Sequence, residues 1–174
     1  MAEGYKNFEL AIRVAGILGR VGVVESLTVV GDGPRRAALE GFARSVGSME
    51  YLQVVGSIDD AAFSDLLRTM HVGLFPSRES QAEGGFEGFG LVVHELAASG
   101  IPVIAGAVAG AIDALHPAWA IGVDPDDLHA WVATVRLLGE NEAERAALSC
   151  AGIAWGQSID VRTTAHQYCE AIAA

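Results

Sequence analysis

Residues 87–106 read EGFGLVVHELAASGIPVIAG and compress a glycine-bearing loop, a helix and a strand into one short stretch. A polar, Gly-rich loop from Ser77 to Gly88 leads in, and a helix is expected from about Gly90 to Ser99. The apolar run Pro102–Ala105 then reads as a strand. A loop that hands a helix on to a short apolar strand is the repeating unit of α/β folds.

Upstream, the same alternation recurs. Phe8, Ala11, Ala15 and Leu18 share one face over residues 7–18, which is helical spacing. Leu27–Val30 reads as a strand ending in Gly31-Asp32-Gly33-Pro34, and Pro34 suits the first turn of a helix that buries Ala38, Leu39, Phe42 and Val46. Tyr51–Val55 is the next strand and stops at Gly56. Asp59 or Asp60 can cap a helix carrying Phe63, Leu66, Leu67 and Met70 inward. His71–Phe75 is a further strand, closed by Pro76. Downstream, a weaker strand lies near Ala120–Val123, and three helical patterns complete the chain. Strands alternating with helices across short connections imply a doubly wound, Rossmann-like parallel sheet covered on both faces. Nearly continuous apolar strands fit that burial. In such sheets ligands bind beyond the carboxyl ends of the strands, and here the loops Gly31–Gly33, Gly56–Asp59 and Gly84–Gly90 occupy those places.

Length and composition bound the function classes. The 174 residues suffice for one domain with a sizeable core, and 51% apolar content argues against disorder. The formal charge of −11 works against nucleic acid or an anionic lipid surface, while backbone amides can still take a phosphate. No apolar run is long enough to cross a membrane, and Met1–Lys6 does not read as a signal peptide. Cys150 and Cys169 show no CxxC spacing and read as reduced thiols of a cytoplasmic protein.

Five segments in order carry a family resemblance: LTVVGDGPRRAAL (Leu27–Leu39), VVGSI (Val54–Ile58), VGLFPS (Val72–Ser77), the stretch quoted first, and AGAIDAL (Ala109–Leu115). Together they resemble the C-terminal domain of the large retaining glycosyltransferase family with GT-B architecture. The resemblance implies a nucleotide-sugar-binding half spanning residues 1–174, with the first strand and the N-terminal, acceptor-binding domain absent. It implies a UDP-, GDP- or ADP-sugar as donor, no metal or other cofactor, and a fragment inactive on its own. Any peripheral membrane contact would fall to the other half.

Elementary chemistry agrees with the implied roles. Gly84, Gly85, Gly88 and Gly90 let backbone approach a ligand closely. Free N–H groups from about Phe89 to Leu91 face a diphosphate, aided by the helix dipole. Glu95, about one and a half turns inside the helix, can accept hydrogen bonds from both hydroxyls of a ribose. Glu87, ahead of the helix, can do the same for hydroxyls of the donor sugar and is the candidate catalytic residue. By resemblance, Gly88, Phe89, Gly90 and Leu91 hold sugar and phosphate, backbone around Ile58 reads the base, and Gly31 and Gly33 line the donor site.

Some positions depart from the family pattern. The loop Arg78–Phe86 is longer than usual, Asp113 replaces a Glu, and Ala109 replaces a second Gly. Glu3-Gly4-Tyr5 stands where a Lys-Gly pair is expected, so a diphosphate-neutralising cation is not where the family has it. Glu79 and Glu87 have the same separation as Glu87 and Glu95, but only the later pair frames Gly-Phe-Gly at a helix start.

Rival readings have less support. Dinucleotide binding needs a third glycine where Arg36 stands. Asp124-Pro125-Asp126 resembles a DxD metal pair but precedes a helix, so capping is the simpler account. The histidines lack metal-ligand spacing, and His94 reads equally as a cleft residue or a packed one. No GxSxG elbow supports a catalytic serine. A sugar-nucleotide epimerase half is the alternative enzyme. A non-catalytic α/β binding module is the alternative outside enzymes, although the acidic cluster of a receiver domain is missing after the first strand.

Overall fold

The structure, a computed structural model of the 174-residue chain, describes residues 4–79, 90–108 and 115–159. After a 3₁₀ turn at Gly4–Lys6 come helix α1 (Phe8–Gly19), strand β1 (Leu27–Val30), helix α2 (Arg36–Ser45), strand β2 (Leu52–Gly56) and helix α3 (Asp60–Leu67). Strand β3 (Gly73–Phe75), helix α4 (Leu91–Ala98), strand β4 (Val103–Gly106), strand β5 (Ala120–Val123), helix α5 (Leu128–Glu140) and helix α6 (Glu142–Ser158) follow. This is the doubly wound α/β fold that the alternation implies. The last of the three terminal helical patterns, and Cys169, lie outside the described residues.

Element edges move for identifiable reasons. Pro34 sits in a turn ahead of α2 rather than in its first turn, because the Arg36 amide closes that turn on the Gly33 carbonyl at 3.1 Å. Tyr51 belongs to a 3₁₀ turn, so β2 starts at Leu52. His71 and Val72 fall outside β3, whose pairing with β4 begins at Gly73↔Val103. Asp59, not Asp60, caps α3 by accepting from the Ala62 amide at 2.8 Å.

All strand pairing is parallel, but the expected single sheet is in two parts among the described residues. One part is β1-β2, and the other is β3-β4-β5. Helix α1 straps them together. Its Ile12 packs with Val29, Leu39 and Leu52 on the first part, and its Leu10, Val14 and Leu18 pack with Ile104, Val123 and Trp131 around the second. On the opposite face, α4 packs Val93, Leu96 and Ala97 over β3–β5, with Trp155 of α6 behind. Trp131 is fully buried, and its indole N–H donates to the Asp124 carbonyl at 3.0 Å, so its one polar group costs little to bury.

Candidate functional site

Helix α1 also fixes how the two half-sheets are aligned. At its start Glu9 pairs with Arg35, just past the carboxyl end of β1. The adjoining Tyr5 carbonyl accepts from the Arg78 amide, beyond β3, at 2.8 Å. Asn7, buried and with φ 49, reaches the Pro125 carbonyl beyond β5. One helix end therefore touches the carboxyl ends of both parts, so the loops after all the strands gather on one rim. That rim is where open parallel sheets bind ligands.

At the rim, α4 begins at Gly90 with φ 70 and ψ 47, the left-handed region that suits glycine and no β-branched residue. Gly90 is buried against the ring of Phe75, so a side chain there would also crowd β3. No side chain caps this end among the described residues. The Val93 amide turns back to the Gly90 carbonyl at 2.8 Å, which leaves the amides of Leu91 and Val92 facing outward without an intrahelical acceptor. Leu91 is 65% exposed, and Glu95, one turn further on, is exposed on the same face. A short helix with an open, positively polarised end and a carboxylate one turn behind it can hold an anion and a vicinal diol together.

The second group lies on β1-β2. The Gly31 amide donates to the Gly56 carbonyl at 2.7 Å, which draws the Gly31–Gly33 loop against the loop carrying Ile58. Thus Gly90, Leu91 and Glu95 share one helix end, and Gly31, Gly33 and Ile58 share one loop pair on the same rim. Glu87, Gly88 and Phe89, with Gly84, Gly85, Ala109 and Asp113, lie outside the described residues.

Arg36 is a rim residue that the motif reading missed. Its guanidinium donates to the Val54 carbonyl at 3.2 Å, pairs with Glu40, and stands over the Gly56 turn. The signal was the Arg-Arg pair directly after Gly-Asp-Gly-Pro. It places a cation on the rim of an otherwise acidic protein.

Two open readings resolve toward packing. His94 lies against the rings of Trp155 and Trp119, with centroids 4.9 and 5.7 Å away. Burial there lowers its pKa from the ordinary imidazole value. The Asp124 carboxylate accepts from the Asp126 amide at 2.9 Å, and Asp127 caps α5 through the Ala130 amide at 2.9 Å. Those acids organise a turn and a helix start. Among the described residues, no group of three or more His, Cys, Asp or Glu is arranged to hold a metal ion. No helix among them is long and apolar enough to cross a membrane.

Comparison with known proteins adds a family. The family model described as glycosyl transferases group 1 matches residues 2–155. A GDP-mannose-dependent monoacylated α-(1-6)-phosphatidylinositol monomannoside mannosyltransferase of Corynebacterium glutamicum is 28% identical over 129 residues, which is 72% of this chain and 32% of that protein. The GDP-mannose-dependent α-(1-6)-phosphatidylinositol monomannoside mannosyltransferase of Mycolicibacterium smegmatis is 29% identical over 151 residues, 86% of this chain and 40% of that protein. Anabaena HepE, solved in complex with UDP, superposes with a TM-score of 0.81 at 20% identity over 98% of this chain and 46% of its own. The chain thus spans between a third and a half of these proteins.

Proposed function

The chain belongs to the group 1 glycosyl transferases, and from that membership we propose that it binds the nucleoside-diphosphate-sugar donor of a hexosyl transfer that retains anomeric configuration. The observation that carries this reading is the open N-terminus of α4, with Gly90 left-handed, the Leu91 and Val92 amides outward, and Glu95 exposed one turn behind.

Each group has a task in this reading. The α4 amides receive the diphosphate, whose charge grows as the bond from sugar carbon to phosphate oxygen breaks. Dipoles fixed before the reaction stabilise that charge without reorganising. Glu95 accepts hydrogen bonds from the ribose hydroxyls. The loops at Gly31–Gly33 and Ile58 take the base end, and Glu87 contacts hydroxyls of the donor sugar. The acceptor hydroxyl attacks the sugar carbon and loses its proton in a step served by residues outside this chain. The isolated chain therefore binds donor but transfers no sugar. No metal or other cofactor enters this scheme. GDP-mannose is the donor for which both mannosyltransferase relatives are named, so a GDP-sugar heads the candidates.

A thermal-shift panel of GDP-mannose, UDP-glucose, ADP-glucose and the parent diphosphates tests the reading. A ligand at a hundred times its Kd should stabilise the chain by about 2.7 kcal/mol. One nucleotide class should raise the melting temperature, and a flat response to all of them would reject the proposal. Release of free nucleotide diphosphate by the chain alone, in the presence of any acceptor, would contradict its being only the donor half.

A further inference from the structure

Between the two half-sheets lies a cavity of about 450 Å³. Packed interiors keep few voids larger than a water molecule, so this one is not ordinary packing slack. Its shape is set by four walls. Val29 of β1 and Leu74 of β3 stand on its two sides, Ala11 and Val14 of α1 cover one face, and Phe63 and Leu66 of α3 cover the other. Among the described residues β1 pairs only with β2, and β3 only with β4. Each therefore turns an unpaired backbone edge toward the same apolar space, an arrangement that leaves peptide groups without partners in the middle of a covered sheet.

Two further observations agree. Helix α3 carries an apolar stripe, yet none of its residues is buried, since Phe63 and Leu66 look into the cavity rather than onto a strand. Helix α1 descends from the carboxyl-end rim toward β1 as the crossover helix of a βαβ unit does, and Lys6 at its head lines the cavity. The helix is in place and the strand that such a unit needs before it is the empty position.

We propose that this slot is the seat of one further β-strand, an apolar segment joined ahead of Gly4 that runs parallel to β1 and β3 and pairs with both. Matching the length of β1 requires about four residues at roughly 3.3 Å each. Alternate side chains of that strand meet α1 and α3, so both of its faces are apolar. With it seated, the two parts become one continuous six-stranded parallel sheet. This inference is independent of what the rim binds.

The test is a fusion that places Val-Ile-Leu-Val ahead of Met1 of the full chain, with Val-Pro-Pro-Val as its control. Proline removes the amides that pairing needs. Amide hydrogen exchange is followed in Leu27–Val30, Gly73–Phe75 and, as an internal reference, Ala120–Val123, together with the urea midpoint. Exchange in β1 and in β3 should slow by at least tenfold in the apolar fusion, with a higher midpoint, while β5 stays unchanged and the proline fusion matches the parent. Slowing in only one of the two strands, or none in either, would overturn the proposal. So would equal protection in the parent that rises with protein concentration, because the occupant would then be a second copy of the chain.

Discussion

The amide of Gly31 donates to the carbonyl of Gly56 across 2.7 Å, and both residues have positive φ, 113° and 73°. The contact follows an irregularity in the ladder, where Val30 pairs with Gly56 and skips Val55. The two glycine turns close the ends of β1 and β2 and hold the base-side loops together. At Gly56 a Cβ would meet nothing nearer than Arg36 at 3.7 Å, so the constraint is backbone conformation, not space. Gly56→Ala should therefore cost about 1–2 kcal/mol in urea denaturation, and Gly56→Asn should recover part of it, since Asn visits the left-handed region more readily. An unchanged midpoint in the Ala variant would show that the turn can relax.

A different glycine is constrained by space. A Cβ on Gly152 of α6 would lie 2.4 Å from the carbonyl oxygen of Ala97 in α4, and backbone cannot swing aside as a side chain can. Overpacking at this crossing should cost Gly152→Ala about 1–3 kcal/mol. Gly41, inside α2 with open space around it, supplies the opposite sign. Gly41→Ala should stabilise by roughly 0.5–1 kcal/mol through helix propensity. Two shifts of the same sign would mean that packing does not govern the α4–α6 contact.

Stability should fall on mild acidification, with His94 as one source. Its folded pKa lies below the ordinary 6.5 because burial against Trp119 and Trp155 disfavours the imidazolium. Below that ordinary value the unfolded chain binds a proton that the folded chain does not, so stability rises with pH in this window. The contribution is complete above about 6.5 and is lost as pH falls toward the folded pKa. His94→Gln should flatten the slope of unfolding free energy between neutral pH and pH 5. An equal slope in both proteins would place the titrating group elsewhere.

Nucleotide binding should be indifferent to chelation. Asp124 and Asp127 spend their carboxylates on the amides of Asp126 and Ala130, and helix amides can neutralise a diphosphate without a cation. Diphosphate affinity measured with and without EDTA should agree within about twofold, well under the 1.4 kcal/mol that a tenfold change represents. A tenfold loss on chelation would assign these acids to a metal after all.

Local patterning made most of the fold readable. Leu27–Val30 and Ala120–Val123 are strands at the expected residues, and the other edges move by only a residue or two where a turn or a pairing partner decides them. Exposure of Glu95 one turn behind an uncapped helix start was likewise legible from EGFGLVVHEL. The split sheet was not, because periodicity marks which segments are strands and not which edges find partners. For the same reason the stripe Phe63, Leu66, Leu67, Met70 reads as core although it is only half-buried. His94 stayed undecided because its aromatic neighbours arrive from Trp119 and Trp155, far along the chain. Arg36 escaped because its role depends on Val54 and Gly56 of the neighbouring strand.

The central claim is that α4 and Glu95 bind the ribose diphosphate of a nucleotide, and calorimetric titration of Glu95→Ala against the parent tests it most directly. GDP, UDP and ADP are titrated, and the comparison is made on whichever binds. Loss of charge-assisted hydrogen bonds to the ribose should cost about 1.5–3 kcal/mol, roughly a ten- to hundredfold weaker Kd. Global stability should hardly change, because Ala is the best helix former and Glu95 is exposed. The 2′,3′-dideoxy nucleotide should bind the parent weakly and lose little more in the variant. Equal affinity of parent and Glu95→Ala for the ordinary nucleotide, or no binding of any of the three, would contradict the account.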